Sequence, residues 1–542
     1  VKVFKFYPDT CLLPLRRNIF AFIVIFALIL ICYGNTFHSD FHFDDSVNII
    51  ENKPIHMTEF TWQSIKASFF SGGDRNGAIY HPVLYRPVAC FTLALNYYWG
   101  KFNTTGYHLF NIAVHILATA FLFLFIYHML NVPMLKDRYG KHSYSIALLA
   151  SLFWGLHPIQ IDSVTFIVQR MSSMAGLFFI MAMYFYLRGR TYTTEDPGEQ
   201  FGIRVGLYAF SGISGLLAMG CKENAVMLPF VILLFDLFFI QGIKKENIKR
   251  YAIVLGISIA VLVPITLALS GWETFSPKVL LAGYERREFT LYERLLTQPR
   301  VIFMYLGLLA YPMADRMSFS HDVDLSHGLF NPSETFLTLL FIVAIIYLAI
   351  RKAKQWPLLS FCILFFSLNH LIESSVFPLE LSYEHRNYLP SMLLFIPVAI
   401  LLAQHIAPIW KRKNLICIGI AMVFLVTLGY QTHKYNAVWK TERSFWEHVI
   451  KRNHNPRALF NYGGTLYVEG YLEEALTWWG LVAAHNEIYG QNHSVNPKVV
   501  PYGKTINAAR KNLLVVDFVK QAGYGDELKK AAERMQLKVK EH

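Results

Sequence analysis

Apolar runs long enough to cross a bilayer recur along this chain, and the Lys and Arg residues between them fall in short clusters that mark every second loop. A full crossing needs about 20 apolar residues, and spans are expected near 18–37, 107–130, 144–157, 163–187, 203–221, 225–241, 251–270, 335–350, 355–373, 387–409 and 414–430. With the N-terminus in the cytoplasm, Arg16-Arg17, the Lys136–Lys141 loop, Arg188 with Arg190, Lys244–Arg250, Arg351–Lys354 and Lys411–Lys413 all fall inside, as cytoplasmic loops require. Eleven spans then put everything from Gln431 onward outside, in a periplasm or an ER lumen. The apolar stretch Val301–Tyr311 is short for a span, and counting it would invert every later cluster; a helix lying at the outer surface is expected there.

Composition narrows the class. The chain is 54% hydrophobic and 16% charged over 542 residues, where a soluble protein would carry about 25% charged residues, so a polytopic all-α membrane protein is expected. The net charge of +13 comes from the basic loop clusters, so no nucleic-acid partner is expected. The six cysteines form neither a CxxC pair nor a metal-spaced set and read as small apolar packers. The first apolar run, Asn18–Thr36, reads as a retained signal-anchor.

On the expected outer side, the stretch His38–Asn48 carries two adjacent carboxylates, Asp44 and Asp45. Paired carboxylates at a membrane surface repel each other and are costly to keep ionised, so they occur where a cation, a proton acceptor or a reacting hydroxyl needs them. The plain alternative is a solvated loop capping the next helix. The loop 38–106 continues with two amphipathic stretches, Phe60–Phe70 and Pro87–Trp99, suited to helices at headgroup level, joined by a Gly-rich turn. The same face collects Arg86, Arg170, Lys222 and Arg386. Taken singly, each is most simply a snorkelling anchor. Together they suit a lipid phosphate, because Arg binds phosphate bidentately and Lys offers a point charge.

The order and spacing of Phe43-Asp44-Asp45, Tyr85-Arg86-Pro87, His108–Asn111, His157-Pro158 followed by Val164 and Arg170, Lys222-Glu223, and Glu384-His385-Arg386-Asn387-Tyr388-Leu389-Pro390 resemble the transmembrane-and-TPR-repeat protein O-mannosyltransferase family and its bacterial relatives. The resemblance covers roughly 18–430 and continues into the tail. Asp162 stands where a glutamate is common, and Cys221 precedes Lys222-Glu223 where serine is expected, so the sugar stays open. It implies a GT-C transmembrane catalytic domain over 1–430, with outer loops at 38–106 and 271–334, and an extracytoplasmic helical domain over 431–542. It also implies a polyprenyl-phosphate sugar donor and a protein acceptor.

Chemistry then assigns roles. A Ser, Thr or sugar hydroxyl is a poor nucleophile until a carboxylate accepts its proton; Asp44 is the first choice, with Asp45 orienting it. Charge gathers on the departing lipid phosphate and needs fixed cations, with Arg386 and Lys222 first and Arg170, Arg86 and His385 behind them. His157, Glu223, Glu384 and Tyr388 are expected to line the site. Two arrangements stay open: a divalent cation on Asp44, Asp45 and Glu223, or side-chain cations in place of any metal. A single in-line displacement would invert the anomeric centre.

In the tail, Arg457–Gly463, Gly470, Glu474–Leu476 and Trp479 read as a helix–turn–helix of the tetratricopeptide type, preceded by a half-repeat over Trp439–Asn453 and followed by amphipathic helices near Thr505–Ala522 and Glu527–Leu537. Such units lean on neighbours. The simple reading is a structural cap, and the functional one is a platform for an acceptor polypeptide. Competing classes are a transporter, which would show internal repeats or mid-span charges, a scaffold working through its tail, and a glycosyltransferase acting on a glycan or glycolipid.

Overall fold

The computed structural model describes residues 15–71, 86–270, 277–285, 287, 289–406, 413–452 and 456–479. The Gly-rich turn, Tyr85 and the helices expected beyond 500 lie outside the described residues. All regular structure among them is helical.

Six described helices are long and apolar enough to cross a membrane: Arg16–His38, Thr104–Leu130, Ile167–Thr191, Pro197–Met219, Glu223–Gln241 and Glu334–Lys352. The chain is an integral membrane protein. The bent pair Pro133–Gly155 and Pro158–Val164, whose axes meet at 56°, has the length and composition for a seventh only if its two arms count as one span. The bend falls where Pro158 cannot continue the preceding helix, and His157 caps the new turn by accepting from the Ile159 N–H at 3.2 Å. The expected count of eleven is therefore not reached among the described residues. Helices do stand at other expected places, including Lys245–Ser270, Pro357–His370 and Lys413–Asn436. Pro357–His370, however, has only 14 residues, about 21 Å of rise, which falls short of the hydrocarbon thickness.

The bundle is built around Arg170–Thr191, which packs against both Thr104–Leu130 and Pro197–Met219. Close approach is possible because small residues face large ones: a Cβ added to Gly176 would sit 2.7 Å from the Tyr388 ring. Several polar groups inside this core are paired across helices. His115 Nε2 donates to the Gly155 carbonyl at 2.8 Å, its Nδ1 meets the Tyr388 hydroxyl at 2.9 Å, and Trp154 Nε1 donates to the Tyr388 carbonyl at 3.1 Å. In a dry core each unpaired group would be costly.

The stretch expected as a short surface helix at 301–311 instead belongs to the twenty-residue helix Leu291–Ala310. A capping box starts it early: Thr290 accepts from the Glu293 N–H, and Glu293 accepts from the Thr290 N–H, which satisfies two orphan donors. The buried Arg294 on its first turn donates to the carbonyls of Glu373, Ser375 and Glu380. The hydroxyl of Tyr305 pairs with both backbone groups of Tyr383. These bonds pin the irregular segment 371–387 that delivers Glu380, Tyr383 and Arg386 to one end of the bundle.

The two amphipathic stretches form helices, Trp62–Phe69 and Pro87–Gly100. After the helix Glu442–Ile450, the tail folds into Pro456–Val468 and a second helix over 472–479, joined through Gly470 at φ 90°. A Cβ on Gly463 would meet Trp479 Nε1 at 2.6 Å, so a small residue lets the two helices cross. Residues 480–542 lie outside the described residues.

Candidate functional site

The adjacent carboxylates are separated by the backbone. Phe43 has φ 43°, a left-handed conformation that costs a bulky residue about 1–3 kcal/mol and persists only where surroundings enforce it. Here its ring meets Phe319 at 5.1 Å and Trp446 at 6.2 Å, with the Arg457 guanidinium 4.6 Å above it. After this turn Asp45 points inward and is buried, its Oδ2 accepting from the His42 N–H at 3.0 Å and its Oδ1 from the Val168 N–H at 2.7 Å. Asp45 thus ties the 42–46 turn to the start of the bundle's central helix. Asp44 is half-buried, and its carboxylate has no hydrogen-bond partner among the described residues; only its backbone carbonyl is engaged, by Asn48 Nδ2 at 2.8 Å.

Burial pushes the Asp44 carboxyl up to about 6, with Arg457 pulling it back, Glu380 raising it and Arg86 lowering it. All three therefore lie within electrostatic reach. Burial takes Asp45 up to about 7, against the two backbone N–H bonds that favour its ionised form. His42 faces two acceptors, the Trp439 carbonyl at 2.6 Å and Glu442 Oε1 at 3.1 Å. Burial favours the neutral ring, but Glu442, Trp439 and Asp45 outweigh it and raise the pKa. His42 is the latch between the carboxylate loop and the helix that opens the tail.

The cations expected on this face are mostly committed. Arg86 grips Glu223 through Nε at 3.1 Å and Nη2 at 2.7 Å. Lys222, buried, pairs with the equally buried Glu373 at 2.6 Å and donates to Ser172 Oγ at 3.1 Å. Arg386 stacks over Tyr383 and donates from Nη1 to the carbonyls of Glu380 and Leu381 at 2.8 and 3.1 Å; no carboxylate among the described residues forms an ion pair with it. His385, stacked on Tyr383, is held well below its ordinary pKa by burial and by the charges of Lys222, Arg386 and Arg86.

Other expected site residues serve the packing. Arg170 is buried over Phe110 at 4.6 Å, donating to Asn96 Oδ1 at 2.6 Å and the Tyr107 carbonyl at 3.1 Å. It joins three helices. His157 donates to the Leu309 carbonyl at 3.2 Å, and Tyr388 belongs to the His115 network. Glu384 is buried against the Ser318 N–H at 2.8 Å and His321 Nε2 at 2.7 Å, and burial drives its pKa well up. The set Asp44, Asp45 and Glu223 does not fit a metal ion. Asp45 spends both oxygens on N–H groups and Glu223 both on Arg86, and no group of three His, Cys, Asp or Glu with suitable placement occurs among the described residues.

Sequence reasoning missed Glu373, Glu380, Arg287 and Arg457. Glu380 joins them: it pairs with Arg287 at 2.5 Å and with Arg457 at 3.3 Å. Arg457 also borders a small cleft of about 20 Å³ with Phe319, Ser320, Tyr383, Trp446 and Ala458. One signal was available: Glu373 is a lone acid ending an apolar run, and such a residue implies a partner.

The curated homologues of this chain are protein O-mannosyltransferases. It is similar to Drosophila melanogaster protein O-mannosyl-transferase Tmtc3, 24% identical over 525 residues that cover 86% of this chain and 55% of that protein. It is 29% identical to human protein O-mannosyl-transferase TMTC2 over 245 residues, 44% of this chain and 27% of that protein. Human protein O-mannosyl-transferase TMTC4 is 26% identical over 222 residues, covering 40% and 29%. The chain thus spans about half, or less, of the length of these relatives. No family model matches the chain, and no solved structure does.

Proposed function

We propose that this chain is a membrane glycosyltransferase of the GT-C type that moves a sugar, mannose first among the candidates, from a polyprenyl phosphate to Ser or Thr of an exported polypeptide. The observation that carries the reading is the unequal fate of the two carboxylates: Asp45 is consumed by backbone N–H groups while Asp44 is left half-buried and unbonded beside cations. The similarity to protein O-mannosyltransferases supports a protein acceptor.

In the proposed reaction Asp44 accepts the acceptor hydroxyl proton as the new C–O bond forms at the anomeric carbon. The bond to the lipid phosphate breaks on the opposite face, inverting the centre, and the phosphate leaves with the electron pair. Arg386, whose charge is not spent on a carboxylate, faces that developing charge; Lys222 and Arg86 support it from their ion pairs, and His385 from its stack on Tyr383. The carboxylate loop, Arg386 and the tail are proposed to lie on the outer face, with the N-terminus in the cytoplasm. The helix–turn–helix at 456–479 is proposed to open a tetratricopeptide array that presents the acceptor.

The decisive experiment incubates the purified chain with several lipid-linked sugars and with polypeptide or saccharide acceptors. Transfer to polypeptide is expected; transfer only to saccharide, or none with any donor, would refute the proposal. Because the base must be ionised and burial holds Asp44 near 6, kcat/KM should rise about tenfold per pH unit below that value and level off above it. A flat profile between pH 5 and 7 would remove Asp44 from the role. Arg386→Gln should weaken donor binding by about ten- to a hundredfold, the worth of a hydrogen bond to a charged group. Titration of the lipid-phosphate sugar, with thermal unfolding measured alongside, tests this; unchanged affinity would assign the phosphate elsewhere.

A further inference from the structure

The tail meets the carboxylate loop through one side chain. Arg457 is the second residue of the helix Pro456–Val468, and it reaches out of that helix to two groups that border Asp44. Its guanidinium lies 4.6 Å from the centre of the Phe43 ring, and its Nη1 lies 3.3 Å from Glu380 Oε1. Phe43 immediately precedes Asp44 and holds the left-handed turn that aims it. Glu380 is itself fixed by Arg287 at 2.5 Å, and its backbone carbonyl accepts from Arg386. One tail residue therefore touches both the turn that orients Asp44 and the segment that carries Arg386.

We propose that Arg457 is a positioning residue for sugar transfer: by holding the Phe43 ring against the Glu380 segment it keeps the Asp44 carboxylate aimed at the acceptor hydroxyl, so the tail is part of the catalytic apparatus. This rests on Asp44 being the base. Small misplacements of a reacting group cost large factors in rate, and a strained turn needs its neighbours to stay in place. Packing supports the same coupling. The helix Glu442–Ile450, against which Pro456–Val468 packs, also holds the loop through His42, whose ring stacks on Phe445 at 5.1 Å. The Arg457 side chain is 49% exposed, so replacing it removes contacts without opening a cavity in the core.

The test uses the full chain. Arg457→Met keeps the length and the apolar stem but loses the charge; Arg457→Lys keeps a cation able to sit over Phe43 and to meet one Glu380 oxygen. We expect kcat to fall about tenfold in Arg457→Met with the donor KM changed less than about twofold, and to recover to within about threefold of the parent in Arg457→Lys. A raised donor KM at unchanged kcat would make Arg457 a phosphate ligand and overturn the positioning role. Equal losses in both variants with a lowered unfolding temperature would make it merely structural, and parental kinetics in Arg457→Met would remove it altogether. No transfer by the parent chain with any donor would overturn the function and this inference together, whereas parental transfer with parental kinetics in Arg457→Met overturns the inference alone.

Discussion

Asp44→Asn lowers the rate of sugar transfer by about 10²- to 10⁴-fold while donor binding persists, the range expected when a positioned proton acceptor is removed. Asparagine matches the carboxylate in size, and Asp44 makes no side-chain hydrogen bond among the described residues that the change would break, so the unfolding temperature should stay near that of the parent. Asp45→Asn should behave in the opposite way. Its two oxygens accept from the N–H groups of His42 and Val168, and an amide NH₂ in place of one oxygen meets a donor with a donor. An unmet buried N–H costs about 1–3 kcal/mol, so this variant should unfold at lower temperature and lose activity in proportion to the loss of folded protein. Single-turnover rates with bound donor, paired with thermal unfolding, separate the two. If Asp45→Asn were the slow but stable variant and Asp44→Asn the unstable one, the roles would be reversed.

Much of the bundle was legible because its signals are local and repeated: twenty-residue apolar runs and basic clusters need no knowledge of what packs where. The spans at 107–130 and 163–187 are of this kind. The bend at Pro158 falls between the expected spans 144–157 and 163–187, and Pro357–His370 is too short to cross by itself, so six described helices, or seven with the bent pair taken as one, have the length and composition of a span. Phe60–Phe70 and Pro87–Trp99 were recognisable from amphipathic spacing. The candidate site was legible only in part, since a sequence shows which charges exist and not which are already paired. Lys222 and Arg86 read as free cations, and each has a carboxylate on it, Glu373 from 151 residues later and Glu223 from 137. The distinction between Asp44 and Asp45 depends on the left-handed turn at Phe43, a residue type with no preference for that conformation. The turn is imposed by rings from Phe319 and Trp446, far along the chain, and no local pattern announces it.

Lys222→Met should therefore destabilise the protein strongly, although the sequence reads Lys222 as a cation for the departing lipid phosphate. The Lys222 and Glu373 side chains are 5% and 4% exposed and their charged atoms lie 2.6 Å apart. Removing one partner of a buried pair strands the other charge, which costs about 3–5 kcal/mol. Glu373 has little else to answer it, because its second oxygen is buried and has no partner. Pairing Lys222→Met with Glu373→Leu removes both charges and substitutes apolar volume, so the double variant should recover most of the lost stability, as replacing both members of such a pair often does. Thermal or denaturant unfolding of the two singles and the double supplies the coupling energy directly. Donor titration of the double variant then isolates the functional part. If the lipid phosphate draws Lys222 away from Glu373, the refolded double variant binds donor more weakly than the parent. If the ion pair only ties the 222–227 turn to the 371–387 segment, affinity returns along with stability, and Arg386 carries the phosphate without Lys222.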